Sequence, residues 1–209
     1  MRGMDCTTYL ENVIAVLLCI DKEQTSFGYF KQMLQYIRYR QGRLSYENRL
    51  HYYQWWIVDN QQKGFIRQIE EPNPPFTATQ TLKINYMSEN YNSYDMLRNR
   101  PERVAALKKM EDRTNGIKVR YIPKNLLNNA ALLRKVVRNG DIIAITTRKR
   151  NLDTTHLGLA VWHDDGLHMI NASSLKRNGR QVIEPKQTLY QYLMQQPNST
   201  GIRLARLVL

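Results

Sequence analysis

The sequence predicts an α+β protein in which an N-terminal helix packs on an antiparallel sheet. Apolar residues follow one another at helical spacing directly after Cys6, whereas runs of strand length and alternating pattern are concentrated in the second half. The chain has 209 residues, of which 42% are hydrophobic and 23% charged, which suits one well-buried core. We therefore expect a single domain over residues 1–209. It would comprise a helix over about 5–20, a helical and loop insertion over about 25–115, and a sheet over about 117–209.

The elements of the first half are predicted mainly from helical spacing and from helix breakers. A second helix begins at Phe27 and ends near Gly42, and an aromatic-rich block follows it. Prolines place residues 70–75 in a loop. Alternation then predicts a strand over Thr79–Tyr86, and Pro101 suits the start of a helix that runs to Met110.

Strands dominate the second half. A hairpin is predicted from two alternating runs, His156–Trp162 and Leu167–Ala172, with a turn near Asp165–Gly166. The other predicted elements are a strand over Lys118–Ile122, a partly helical stretch over Asn125–Val137, and strands over Ile142–Thr146 and Ile202–Leu207.

Charge, apolar patterning and cysteine spacing bear on the class of partner, on membrane insertion and on disulfide formation. The net charge of +13 suggests an anionic partner, but the sequence has no RNA-binding motif or zinc-finger spacing, so we expect no nucleic acid. No apolar run is long enough to span a bilayer. Glu11 and Asn12 interrupt what could otherwise pass for a secretion signal. Cys6 and Cys19 would lie roughly 20 Å apart on one helix, so both thiols should be free.

Cys6 is the candidate nucleophile. A helix start carries partial positive charge and free N–H donors, and both favour the reactive thiolate. The alternative is a buried, inert cysteine that behaves as a small apolar side chain. The pattern from Thr8 to Glu11 also fits a capping box, which would begin the helix at Thr8 and place Cys6 just before it.

His156 and Asn171 complete a candidate constellation for acyl transfer. His156 lies beside Gly158 and Ala160 on one strand face, which predicts open space above the ring for a substrate. A two-residue turn would pair Ala160 with Asn171 and leave Asn171 too distant from His156. A four-residue loop would make the two residues diagonal neighbours, roughly 7 Å apart, and the sequence permits either register. A cysteine, an imidazole and an orienting amide together suit cysteine-based acyl transfer.

No metal or cofactor is expected. His163 and His168 flank the hairpin turn without a metalloenzyme spacing such as H-E-x-x-H, and too few ligands are grouped for a zinc hydrolase.

A set of short segments lies in the following order along the chain: Asp5-Cys6-Thr7-Thr8, Ile37-Arg38-Tyr39-Arg40, Arg49-Leu50-His51-Tyr52, Trp56-Ile57, Asp59-Asn60, Gly140-Asp141, Leu152-Asp153, Thr155-His156-Leu157-Gly158, Asn171-Ala172-Ser173 and Gly201-Ile202-Arg203. In this order they resemble the motifs of the NlpC-type cell-wall cysteine hydrolases, and more closely those of one branch similar to N-acetylmuramyl-L-alanine amidases.

The resemblance implies a papain-like fold with Cys6 as nucleophile, His156 as general base and Asn171 as the orienting residue, where relatives commonly carry histidine. It implies an amidase that cuts between the lactyl group of muramic acid, in its anhydro form for turnover fragments, and L-alanine. Asp5, Arg49, His51, Tyr52 and Trp56 would contact substrate. The alternatives are a γ-D-glutamyl-diamino acid endopeptidase and a non-catalytic wall-binding module.

From the resemblance we also expect a periplasmic or envelope protein that acts as a monomer on muramyl peptides. Relatives carry a stretch before the cysteine, so we expect upstream residues to be absent from this chain.

Overall fold

A computed structural model describes residues 4–173 and 181–209 as a mixed α/β structure with an antiparallel sheet. In this part of the chain the helices are α1 (Cys6–Asp21), α2 (Phe27–Arg38), α3 (Tyr53–Gln62), α4 (Tyr86–Glu89), α5 (Pro101–Thr114), α6 (Ala130–Leu133) and α7 (Leu189–Met194). The strands are β1 (Ile66–Ile69), β2 (Ala78–Thr81), β3 (Lys118–Pro123), β4 (Ile142–Thr147), β5 (Thr154–His163), β6 (Gly166–Ala172), β7 (Val182–Ile183) and β8 (Ser199–Leu207).

The strands form one sheet in the order β2-β3-β8-β4-β5-β6-β7, and β1 also pairs with β8. Every pairing is antiparallel. The nine-residue β8 is central, because its C-terminal half pairs with β1 while Gly201 and Ile202 pair with β3. A Cβ at Gly201 would lie 2.0 Å from the carbonyl oxygen of Ile122, so only glycine allows the two strands to approach this closely.

Helix α1 buries one face against the sheet. Leu10, Ile14 and Leu18 recur at intervals of four residues, and each is almost fully buried. The helix packs on α2 and on β5. This packing fixes the direction of α1 and brings its amino end to strand β5.

Apolar residues lie on both faces of the sheet. In β4, Ile142 and Ala144 pack beneath α1 and α3, whereas Ile143 and Ile145 pack on the opposite face with α6 and α7. All six residues of β4 are buried. The continuous apolar run Ile142–Ile145 therefore reflects a strand covered on both sides.

Two predicted boundaries were wrong. The predicted strand Thr79–Tyr86 is only β2, because the side chain of Asn115 accepts a hydrogen bond from the backbone N–H of Ile84 (2.6 Å), and α4 begins at Tyr86. The helix from Pro101 extends beyond Met110 to Thr114, where buried side chains of its last turn bond the aromatic block.

Five of the described helices and strands were not predicted from the sequence: β1, the helix α3 inside the aromatic block, α4, β7 and α7. Within the described residues, no helix is both long and apolar enough to cross a lipid bilayer.

Candidate active site

Cys6 is the first residue of α1. Asp5 caps the helix, since its carboxylate accepts a hydrogen bond of 2.6 Å from the backbone N–H of Thr8. The predicted capping box that began the helix at Thr8 was therefore wrong. Glu11 does not reach back to the helix start because both its oxygens bind arginines. The sulfur of Cys6 thus lies in the first turn, where the helix dipole is strongest.

His156 contacts Asn171 through its outer ring nitrogen, with Nε2 lying 2.8 Å from Oδ1. The hairpin turns through two residues, Asp164 and Asp165, because His163 still pairs with Gly166, so both predicted turns were wrong. Its register is nevertheless the one predicted for the four-residue loop, in which Trp162 pairs with Leu167. In this register the two residues are diagonal neighbours. Asn171 is 2% exposed, and its amide nitrogen also donates to the backbone oxygen of Met169 (3.3 Å).

His156 also lies beside Cys6 at the wall of one cleft, and the two side chains interact. Because Nε2 faces Asn171, the nitrogen left for the sulfur is Nδ1. Burial raises the pKa of Cys6, but the hydrogen bond with His156, the positive charge of that ring and the backbone N–H of Leu157 outweigh it, so the pKa is lowered. Burial lowers the pKa of His156, but its bonds with Cys6 and Asn171 outweigh that, so the pKa is raised. Both shifts favour a thiolate–imidazolium pair.

The predicted open space over Gly158 does not exist. A Cβ there would lie 2.5 Å from the backbone oxygen of Ile170 and 2.5 Å from Cγ of Met169. Gly158 instead allows β6 to pack tightly against β5. The space for a ligand lies on the other side of His156, toward Cys6.

A cleft of about 350 Å³ opens above Cys6 and His156. Among the described residues that line it, none is a lysine or an arginine. Most of its remaining wall is aromatic or apolar. The aromatic residues are Tyr46, Tyr52, Tyr53, Trp56, Tyr86 and Tyr94.

The chain matches the model of the AmiA-like family, described as N-acetylmuramoyl-L-alanine amidase-like, over residues 1–202. The chain belongs to this family. No curated protein sequence matches it significantly.

Solved structures support this assignment. A Bacteroides uniformis N-acetylmuramoyl-L-alanine amidase is 38% identical, with a TM-score of 0.89, and the match covers 99% of this chain and 84% of that one. A Bacteroides fragilis protein named as a candidate xylanase is 36% identical (TM-score 0.87; 97% and 86% covered). A Legionella pneumophila protein at 24% identity (TM-score 0.70; 99% and 76% covered) shares the fold. Family and neighbours together support a peptidoglycan amidase-like function.

Three of the residues predicted to bind substrate line the cleft of this family member: His51, Tyr52 and Trp56. Burial and the charge of Arg49 lower the pKa of His51 to about 4, so the ring is neutral at ordinary pH. Tyr52 donates to Glu111 (2.6 Å). The indole of Trp56 is buried.

The other two predicted substrate residues have structural partners. Arg49 does not line the cleft, because its guanidinium binds buried Glu11 (2.8 and 3.2 Å) together with Arg38 (2.7 Å). Asp5 also lies outside the cleft wall, and its carboxylate caps α1. Arg38 and Arg49, which belong to the segments that carry the family resemblance, therefore join α1 to α2 through Glu11.

Asp153 is a residue whose role the sequence patterns missed. Its buried carboxylate lines the cleft and accepts hydrogen bonds from the backbone N–H groups of Gln54 (2.7 Å) and Thr154 (2.8 Å). Burial raises the pKa of Asp153 despite these donors. Asp153 thereby ties the start of β5, which carries His156, to the amino end of α3.

Arg203 also stabilises the junction between β5 and the amino end of α3. Its side chain is fully buried, and it donates to the side-chain oxygens of Gln54 (2.7 Å) and Gln68 (3.0 Å). The guanidinium lies 4.9 Å from the ring centre of Tyr53, a cleft residue. The available signal was an arginine in the middle of a strand between apolar residues, but its partners are too distant in sequence to be inferred.

Proposed function

We propose that this family member is a cysteine amidase of the papain-like, NlpC type. The observation that carries the proposal is that Cys6 and His156 line one open cleft while the His156 ring contacts Asn171 on its other side. A nucleophile, a base and a residue that orients the base are the parts that acyl transfer needs.

In the first half-reaction, the Cys6 thiolate attacks the carbonyl carbon of the substrate amide. The carbonyl π-electrons move to oxygen and form a tetrahedral oxyanion. The first N–H groups of a helix have no intrahelical acceptor. Asp5 accepts from Thr8, so the N–H groups of Cys6 and Thr7 remain for the oxyanion. One such donor is typically worth about 10²- to 10³-fold in rate.

Collapse of the intermediate expels the amine. The imidazolium of His156 gives its proton to the leaving nitrogen, the C–N bond breaks, and a thioester with Cys6 remains. His156, now neutral, removes a proton from water as the water attacks the thioester. The carboxylic acid leaves and the resting thiolate–imidazolium pair returns. Asn171 holds the ring in one orientation throughout.

The chemistry of the cleft supports cleavage between the muramic acid lactyl group and L-alanine. The acyl side of that bond carries an uncharged sugar, whereas the acyl side of a γ-D-glutamyl bond carries a carboxylate. A carboxylate is expensive to bury without a cationic partner, and the cleft wall has no lysine or arginine among its described residues. Two of the more exposed aromatic residues of the wall, Tyr86 and Tyr94, together with neutral His51 suit a sugar with its acetamido group.

The natural substrate is then a muramyl peptide released from peptidoglycan, in the reducing or the anhydro form. Because peptidoglycan lies in the cell envelope, we place the active enzyme in the periplasm or envelope.

The test is incubation with a defined N-acetylmuramyl tetrapeptide and with its anhydro form, followed by mass analysis of the products. We expect a peptide that begins with L-alanine and a free muramic acid. Cys6→Ala should abolish turnover, whereas Cys19→Ala, which removes the other thiol, should retain it.

Three results would overturn the proposal. Full turnover by the Cys6→Ala variant would remove the nucleophile. Release of muramyl-L-Ala-γ-D-Glu, in which the bond between the lactyl group and L-alanine is intact, would identify an endopeptidase, and a folded protein that binds muramyl peptide without cleaving it would identify a wall-binding module.

A further inference from the structure

A cluster of histidine and carboxylate side chains lies at the tip of the β5–β6 hairpin. His163 ends β5, His168 lies in β6, and Glu184 directly follows β7. One ring nitrogen of each histidine and one carboxylate oxygen of Glu184 all lie within 4.8 Å of one another. His163 is seven residues beyond His156 on the same strand, roughly 23 Å away, so the cluster is separate from the cleft.

The histidines face carboxylates through nitrogens that could bind a metal. Nε2 of His163 contacts Oε1 of Glu184. Nε2 of His168 lies 2.9 Å from Oδ1 of Asp165, and its Nδ1 lies 3.1 Å from the backbone oxygen of Pro185. A histidine that donates Nδ1–H to a carbonyl has a lone pair on Nε2, the usual arrangement for a metal ligand. That lone pair then faces a carboxylate oxygen, so a cation between the two would be stabilising.

We propose that His163, His168 and Glu184 bind one divalent transition-metal ion, with Zn²⁺ as the best fit. Imidazole nitrogens and carboxylate oxygens are ordinary zinc ligands with bonds of about 2.0–2.2 Å, so atoms on one ion lie at most about 4.4 Å apart. The observed limit of 4.8 Å is within a small side-chain rotation of that value. The exposed carboxylate of Asp165, whose Oδ1 lies 2.9 Å from Nε2 of His168, is available beside these three ligands.

Charge supports this assignment. Asp165 and Glu184 together carry two negative charges, which one divalent ion neutralises at a site built from neutral imidazoles. The chain as a whole is strongly basic, with a net charge of +13, so a pair of carboxylates facing two histidines is an unusual local concentration of negative charge.

The ion would stabilise the edge of the sheet beside Asn171. Strand β7 has only two residues, and they pair with Asn171 and Ala172. Glu184 is the next residue, so a metal bond from Glu184 to the hairpin holds β7 against the strand that carries Asn171. The ion is structural in this proposal, because the distance excludes contact with Cys6.

The experiment measures zinc binding by calorimetry and thermal unfolding at pH 7.5, on tag-free protein that carries Cys6→Ser. The substitution removes the thiolate–imidazole pair, which would itself bind zinc. We expect one equivalent of zinc to bind with a micromolar or lower Kd. At a hundredfold excess over Kd, the Tm should rise by about 5–10 °C.

In the same background, His163→Gln and Glu184→Gln should each weaken zinc binding by at least about tenfold and remove most of the Tm shift. These residues are partly exposed, so the variants should fold, whereas His168 is buried. Asp164→Asn removes one charge from the adjacent exposed position and should bind zinc as the parent does.

The proposal is overturned if zinc fails to bind below millimolar concentration, which would leave a proton as the shared cation. It is also overturned if His163→Gln and Glu184→Gln bind zinc as tightly as Asp164→Asn.

Discussion

Nε2 of His156 lies 2.8 Å from Oδ1 of Asn171, and this contact sets which ring nitrogen faces Cys6. The amide oxygen can only accept, so Nε2 carries a hydrogen and Nδ1 is free to exchange a proton with sulfur. The pair therefore fixes both the orientation and the tautomer of the ring.

Asn171→Ala should lower kcat for muramyl peptide cleavage by about 10- to 150-fold. A hydrogen bond to a charged group is worth about 1.5–3 kcal/mol, and each 1.36 kcal/mol is tenfold in rate. Asn171→Asp keeps an acceptor and should retain more activity than Asn171→Ala. The measurement is kcat from steady-state kinetics on the parent and both variants, and the Tm of each protein checks that it is folded. Equal kcat in the parent and Asn171→Ala would contradict an orienting role.

The pH dependence of Cys6 alkylation should reveal the ion pair. The pKa of Cys6 is lowered and that of His156 is raised, so thiolate appears below the usual range near pH 8.5 and the ring stays protonated above pH 6.5. Between the pKa of Cys6 and the pKa of His156, the thiolate and the imidazolium are both charged. In a Cys19→Ala background, iodoacetamide should react appreciably at pH 6–7.

His156→Gln is the control for that measurement, because it removes the imidazolium. Its alkylation midpoint should move up toward pH 8.5. The same midpoint with and without His156 would show that the ring does not ionise the thiol.

Local patterns predicted the parts of the site that depend on adjacent residues. A cysteine at a helix start and a histidine on an alternating strand are visible in short windows. The contact with Asn171 depended on a turn whose length the sequence left open, and only the folded hairpin selects the register.

Residues whose partners are distant in sequence could not be assigned. Arg49 was predicted to bind substrate, but its partner Glu11 is 38 residues away, and two arginines on a buried carboxylate leave no local signature. Gln54 bonds Asp153 across 99 residues and Arg203 across 149. These contacts exist only after the helices pack on the sheet.

Substitution of Asp5 separates a capping role from contact with substrate. Asn caps helices as well as Asp does, so Asp5→Asn should leave Tm nearly unchanged, whereas Asp5→Ala should lower the free energy of unfolding by about 1 kcal/mol. The Asp5 charge opposes ionisation of Cys6, so Asp5→Asn should also move the alkylation midpoint of Cys6 to lower pH. A large rise in KM for Asp5→Asn would instead indicate contact with substrate.

Glu11→Gln should destabilise the fold by about 3 kcal/mol. The Glu11 side chain is fully buried and binds two arginines, and removal of one partner from such a group leaves the others uncompensated. In a chain of this length that corresponds to a fall in Tm of about 6–12 °C. Asp112→Asn breaks the exposed pair with Lys108 and should change the free energy of unfolding by less than about 1 kcal/mol. Similar Tm values for the two variants would show that the buried cluster contributes little.

Gly158→Ala should damage stability and catalysis together. The added methyl would lie 2.5 Å from the backbone oxygen of Ile170, and a strand carbonyl cannot move aside without shifting β6. Because β6 also carries Asn171, the shift should lengthen the contact with His156. We expect a loss of about 1–3 kcal/mol in the free energy of unfolding, as for other overpacked positions, and slower alkylation of Cys6 at pH 6–7.

Gly28→Ala gives the matched control, because its new Cβ would have only one neighbour within 4 Å, at 3.9 Å, on helix α2. There alanine should stabilise by about 0.5–1 kcal/mol through its better helix propensity, with no effect on Cys6. The same substitution therefore has opposite signs at the two positions. If Gly158→Ala left both Tm and alkylation unchanged, the close packing of β5 on β6 would not be what positions His156 and Asn171.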